Sequence, residues 1–148
     1  MHDLALTLAV NPGDVLPTAN GREHWRRRAE LTKRWRTYAY ARARNELVAG
    51  RWTPLERAHI TITIDWPDQR RRDPANWSPT AKAIVDGLVD AGLLPDDDHR
   101  HVTGPDMRRG HGPRAVHVHI RPLHDTQTPA AGALGEESPA AGQPQEVA

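Results

Sequence analysis

Three stretches of the chain alternate apolar and polar residues with a period of two, the spacing of a half-buried strand. LALTLAV (residues 4–10) sets Leu4, Leu6 and Leu8 against smaller or polar neighbours. RAHITITIDW (57–66) places Ile60, Ile62 and Ile64 on one face and His59, Thr61, Thr63 and Asp65 on the other. AVHVHI (115–120) interleaves Val116, Val118 and Ile120 with His117 and His119. After the first strand, NPGDVLPTANG (11–21) is dense in turn formers and reads as a loop. A long helix is expected to start near Arg22 and to end before Gly50, which suits the position just past a helix C-terminus. SPTAKAIVDGLVDAG (78–92) carries a full set of helix marks, with Ser78 as N-cap, Pro79 in the first turn and Gly92 after the last. Ala81, Ile84, Val85 and Leu88 form its apolar stripe, while Lys82, Asp86 and Asp90 recur at four-residue steps on another face. The order strand, helix, strand, helix, strand, with room for a short strand around Val102, predicts an α/β (α+β) fold. Its parts are a small mixed β-sheet, a long basic N-terminal helix and a second, short helix.

Length and composition change this picture mainly at the C-terminus. A chain of 148 residues suits a single domain. The apolar fraction of 37% is below the globular average, partly because residues 126–148 contain no aromatic, Lys or Arg and three glutamates. We therefore expect a folded domain over 1–124 and a disordered low-complexity tail over 125–148. The whole chain carries +1, whereas residues 1–125 hold 20 basic and 16 acidic residues, a net +4. A mildly basic domain is compatible with a polyanionic partner. The absence of cysteine excludes disulfide staples and thiolate chemistry and fits a reducing compartment. No apolar run approaches spanning length and the N-terminus lacks the shape of a signal peptide, so a soluble, cytoplasmic protein with no membrane partner is expected.

The basic charge is concentrated on the first helix, where nine Lys or Arg fall between Arg22 and Arg44 with Trp25, Trp35, Tyr38 and Tyr40 interleaved. Guanidinium groups fork onto phosphate oxygens and aromatic rings stack on unpaired bases, so Arg26, Arg27, Arg28, Lys33 and Arg34 are candidate DNA contacts. The tryptophans have a plainer use as rings that face the core.

The densest candidate chemistry lies in RRRDPANWSPTAKAIVDGLVDAGLLPDDD (70–98). Asp73 precedes the second helix, Asp86 is on it, and Asp96, Asp97 and Asp98 follow it. If the two loops meet near one sheet edge, their carboxylates offer the hard oxygen ligands that Mg²⁺ prefers. Such an ion polarises a phosphodiester and activates water beside it. Lys82, one turn into the helix, supplies a cation for charge on the transferring phosphoryl group. An acidic turn after a helix is also commonly just solvated.

In order and spacing, RRRD-x-x-N, then a Lys and a D-G-L helix, then A-G-x-x-x-D-D strongly resembles the RusA family of Holliday-junction resolvases. These are dimeric, Mg²⁺-dependent endonucleases that cut four-way DNA junctions. The resemblance is close over residues 70–98 and looser over most of 1–122. It implies that Asp73, Lys82 and Asp97 are catalytic. It also implies that Asp73, Asp86, Asp96 and Asp97 supply ligands for one or two Mg²⁺, with Mn²⁺ as a substitute; Asp98, in the same acidic run, is a further candidate in place of Asp96. Arg70, Arg71, Arg72 and Asn76 would lie against the DNA backbone. The product would be a 5′-phosphate and a 3′-hydroxyl, and two symmetric nicks would call for a homodimer. Two departures stand out. Ala75 occupies the place of a second metal-binding aspartate, and W-S-P-T adds two residues between Asn76 and Lys82. Two other readings remain at this level: a non-catalytic branched-DNA-binding protein that has lost a metal ligand, and a zinc site built on His99, His101, His111, His117 and His119.

Overall fold

The computed structural model describes residues 1–124, and the tail expected over 125–148 lies outside the described residues. The four strands are β1 (Leu4–Ala9), β2 (Ala58–Trp66), β3 (Val102–His111) and β4 (Ala115–Pro122), and the helices are α1 (Trp25–Val48) and α2 (Ser78–Asp90). They form one α+β domain with a single sheet in the order β1-β4-β2-β3. β4 runs antiparallel to both β1 and β2, with Leu6 opposite Val118 and Ile62 opposite that same Val118. β2 and β3 are parallel, which makes the sheet mixed and turns α2 into the crossover between them.

The alternation in the sequence decides which face the helices cover. Leu6, Leu8, Ile60, Ile62, Ile64, Val116, Val118 and Ile120 are buried in one core with Trp35, Ala39 and Ala43 of α1 and Ala81, Ile84, Val85 and Leu88 of α2. The intervening residues of the same strands therefore stand on the uncovered face. Ala39 and Ala43 are small because α1 crosses α2 closely there, and Gly87 of α2 lies directly against that part of α1.

Three boundaries differ from the sequence expectation. α1 begins at Trp25 rather than Arg22, and the ring nitrogen Nδ1 of His24 accepts from the Arg26 amide at 3.3 Å to cap it. Ser78 is the first residue of α2 and not its N-cap. A 3₁₀ turn over Pro74–Trp77 runs directly into the helix, and Trp77 holds the cap position without a side-chain bond. The strand for which the sequence left room around Val102 extends over ten residues, through His111. It lies at the sheet edge, where one flank needs no partner, and its sequence VTGPDMRRGH lacks clean alternation. Gly, Pro and charged residues are what edge strands tolerate and central ones do not. Among the described residues no helix is long and apolar enough to cross a membrane.

Candidate functional site

α2 presents Lys82 and Asp86 one turn apart, and Lys82 Nζ donates to Asp86 Oδ1 at 2.6 Å. Gly92, at φ +86, takes the left-handed conformation that ends the helix. Leu93 and Leu94 are then buried, and the Leu55 amide donates to the Leu93 carbonyl at 2.7 Å. These anchors bring the acidic loop back over α2, so that Lys82 Nζ also donates to Asp97 Oδ2. One ammonium thus sits between two carboxylates from different elements. α1 adds a second cation: Arg36 forks onto Asp90 at 2.5 and 2.8 Å and lies 3.8 Å from Asp86.

The charges tune one another. The hydrogen bond that Lys82 donates to Asp86, then the one to Asp97, raises the Lys82 pKa above the ordinary lysine value. Lys82 in turn holds the Asp97 carboxyl below the usual carboxylate range. The contribution of Asp97 is present above its unfolded value of about 3.9 and is lost as pH falls through its lower folded value. That of Lys82 is present below about 10.4 and is lost as pH rises through its raised folded value. Both groups are solvent-accessible, so the stability at stake is small. Removing the ammonium in Lys82→Ala is expected to move the Asp97 titration upward toward the ordinary range. Carboxyl ¹³C shifts followed against pH read this directly, and an unmoved Asp97 would show that another group depresses it.

Lys82 and Asp97 open onto a cleft of about 330 Å³ between α2 and β3, whose walls include Ser78, Val85, Pro105 and Met107. Charged groups therefore meet a partly apolar concavity, the usual composition of a ligand site.

The other expected ligands are placed differently. Asp73 Oδ1 accepts from the Ala75 amide at 3.0 Å, so this carboxylate caps the 3₁₀ turn. Asp96 Oδ1 accepts from the Asp97 amide at 2.7 Å and stiffens the acidic loop. Asp98 belongs to the turn into β3, where it accepts from the Arg100 amide and guanidinium, and Arg100 holds its pKa down. Among the described residues no three His, Asp or Glu side chains form a metal-holding group. The convergent set is the pair Asp86 and Asp97.

The expected DNA contacts also divide. Arg72 is only 15% exposed; it forks onto Asp68 at 2.5 and 3.0 Å and stacks 4.0 Å from the Trp66 ring centroid. These contacts hold Arg72 against the β2 end of the sheet. Asn76 accepts from the Asn20 amide at 3.2 Å and fastens the loop before α1 to the segment before α2. Arg28 donates to the Gly21 carbonyl, Arg34 pairs with Asp14 at 2.6 Å and Arg27 with Glu30 at 3.2 Å. Arg26 stacks on Trp25, which is 67% exposed, while Trp35 is buried and donates to the Val15 carbonyl. Lys33 lines a groove on the outer face of α1 beside Trp25 and Arg28. Arg71 is exposed and, among the described residues, has no partner; the exposed Arg70 holds Asp68 through its backbone amide. Of the histidines, His101 donates to the Glu56 carbonyl, and His117 and His119 pair with Asp65 and Asp3.

Nothing local in the sequence marks Arg36 as a member of this charged cluster. Its partners lie 50 or more residues away on another helix, and no local spacing signals that contact.

No family model matches the chain. It is 35% identical over 102 residues to an uncharacterized protein of Xylella fastidiosa, an alignment that covers 68% of this chain. The chain spans 64% of the length of that relative.

Proposed function

We propose that this chain is a Mg²⁺-dependent structure-specific endodeoxyribonuclease that resolves four-way DNA junctions as a homodimer in the cytoplasm, in recombination and repair. The observation that carries the reading is the position of Lys82 between Asp86 and Asp97 at the mouth of a cleft. Two carboxylates that already hold a cation between them are hard oxygen donors, and Mg²⁺ is commonly held by one or two carboxylates together with substrate phosphates and waters. The donor set fits the ion. Asp86 and Asp97 would hold it, with Asp96 on the same loop. When bound, the metal supplies polarisation of the scissile phosphodiester and a more acidic water.

The chain's own residues do the rest. Lys82 would donate to a non-bridging phosphate oxygen and balance charge that grows on it. The exposed Arg70 and Arg71 flank this region in sequence and hold the neighbouring backbone. Arg36 neutralises Asp90 and part of the Asp86 field, which limits repulsion of the DNA. The motif resemblance over residues 70–98 supports the same assignment.

A second reading is favoured by one contact. Asp73 is engaged as a cap and Ala75 offers no carboxylate beside it, which suits a branched-DNA-binding protein without chemistry. Incubating the protein with a synthetic four-way junction with no divalent ion, with Mg²⁺ and with Mn²⁺ separates the two. Paired nicks that depend on the metal are expected. Tight junction binding with no product in either metal would leave the binding protein standing.

A further inference from the structure

The uncovered face of the sheet carries a cluster that the nuclease reading does not use. β2 sets Thr61 and Thr63 at its centre, with Arg108 of β3 opposite Thr63 on one side and His119 of β4 opposite Thr61 on the other. Arg121, opposite His59, completes a depression of about 350 Å³ lined by these six residues. Ile60, Ile62 and Ile64 of the same strand point into the core, so this depression lies on the face away from the helices.

The three acids on this face are already engaged, Asp65 by His117 Nε2 at 2.9 Å. Asp106 accepts from His59 Nε2 at 2.9 Å and Asp3 from His119 Nε2 at 2.9 Å. Arg121 donates to His59 Nδ1 at 3.3 Å, which fixes the tautomer with its proton on Nε2, toward Asp106. Arg108 is different. Among the described residues it has no hydrogen-bond or ion-pair partner, and the hydroxyls of Thr61 and Thr63 have none either. One free guanidinium, a second that spends a single donor on His59 Nδ1, and two free hydroxyls thus share one depression.

We propose that this depression is an oxyanion site that binds a phosphate group, with Arg108 and Arg121 as the charged donors and Thr61 and Thr63 as the hydroxyl donors. Guanidinium forks match the tetrahedral oxygens of phosphate, and charge-assisted bonds of this kind are the stronger class. The site is separate from the Lys82 cluster and does not rest on the nuclease reading.

The full chain titrated with inorganic phosphate against potassium chloride of equal ionic strength, followed by NMR, tests the proposal. Saturable shifts are expected at the Thr61 and Thr63 amides and at the Arg108 and Arg121 side-chain Nε–H. Arg108→Gln and Thr61→Val should each weaken the phosphate Kd, by about tenfold for the lost guanidinium. Unchanged Ile60 and Ile62 methyl shifts will show that the fold is intact. A parallel titration with a single-stranded oligonucleotide, and with its uncharged methylphosphonate analogue, distinguishes the source. Shifts at the same residues with the charged oligomer alone identify a nucleic-acid phosphodiester, and shifts with inorganic phosphate alone identify a free phosphate. Shifts with neither ligand, or a response retained in full by Arg108→Gln, would overturn the site.

Discussion

Asp97→Asn is expected to lower junction cleavage in Mg²⁺ by roughly a hundredfold or more while junction binding survives. The amide keeps the shape of the carboxylate but loses the charge that draws both Lys82 and a divalent ion. Lys82 then remains on Asp86 alone, and the acidic loop keeps its Asp96 contact to the residue 97 amide. The lost ion pair is solvent-accessible, so the change in stability should stay within about 1 kcal/mol. The loss therefore reports on chemistry and not on folding. Asp98→Asn is the matched control: its carboxylate holds Arg100, and cleavage should persist. Asp73→Asn isolates the remaining question, because asparagine caps as well as aspartate and leaves the 3₁₀ turn in place. Cutting by Asp97→Asn near the wild-type rate would sink the role proposed for Asp97.

Gly87→Val is expected to be the most damaging substitution for stability outside the strands. A Cβ at residue 87 would lie 2.9 Å from the Ala39 Cβ and 3.0 Å from the Tyr40 amide nitrogen, and nearer still to the Arg36 carbonyl. These are backbone or Cβ atoms of a neighbouring helix, so no rotamer change relieves the clash. Gly in a helix interior costs only about 1 kcal/mol against Ala, while overpacking a core costs about 1–3 kcal/mol for far softer neighbours. Steric conflict wins, and a loss of roughly 3 kcal/mol or more should lower Tm by on the order of 10 °C. Gly92→Ala is the comparison. Nothing lies within 4 Å of its Cβ position, so only the positive φ is penalised, at about 1–2 kcal/mol. Equal Tm losses in the two variants would show that α1 and α2 have room to part. Because α1 carries Arg36 to the acidic cluster, parting the helices should weaken the site as well.

What could be read from the chain followed the range of the interactions involved. Period-two alternation located β1, β2 and β4 because each is half-buried against the helices, and Pro79 and Gly92 bracketed α2 through purely local geometry. β3 was legible only as a hint at Val102. An edge strand is held by backbone pairing to β2, and its side chains have little burial to report. The loop acids divide on the same ground. Asp97 and Lys82 belong to one segment of sequence, whereas the retention of Asp73 and Asp98 as a cap and a turn closure depends on hydrogen bonds that residue type does not foretell. Arg72 shows the limit most clearly. In sequence it is one of three equal arginines, and only the fold reveals Asp68 and Trp66 enclosing it.

The pairing of β1 with β4 has a consequence for how the chain is made. Leu4 lies opposite Ile120 and Thr7 opposite His117, so β1 is synthesised well before β4, its sheet neighbour among the described residues. Such long-range closure is slow to form. Until then, Leu4, Leu6 and Leu8 form an unpaired apolar strand, the kind of segment that recruits chaperones or pairs with another nascent chain. Premature termination before residue 115 would remove β4, its mate among the described residues. Expression yield of the domain should therefore respond more to chaperone supply and synthesis rate than to any single surface substitution.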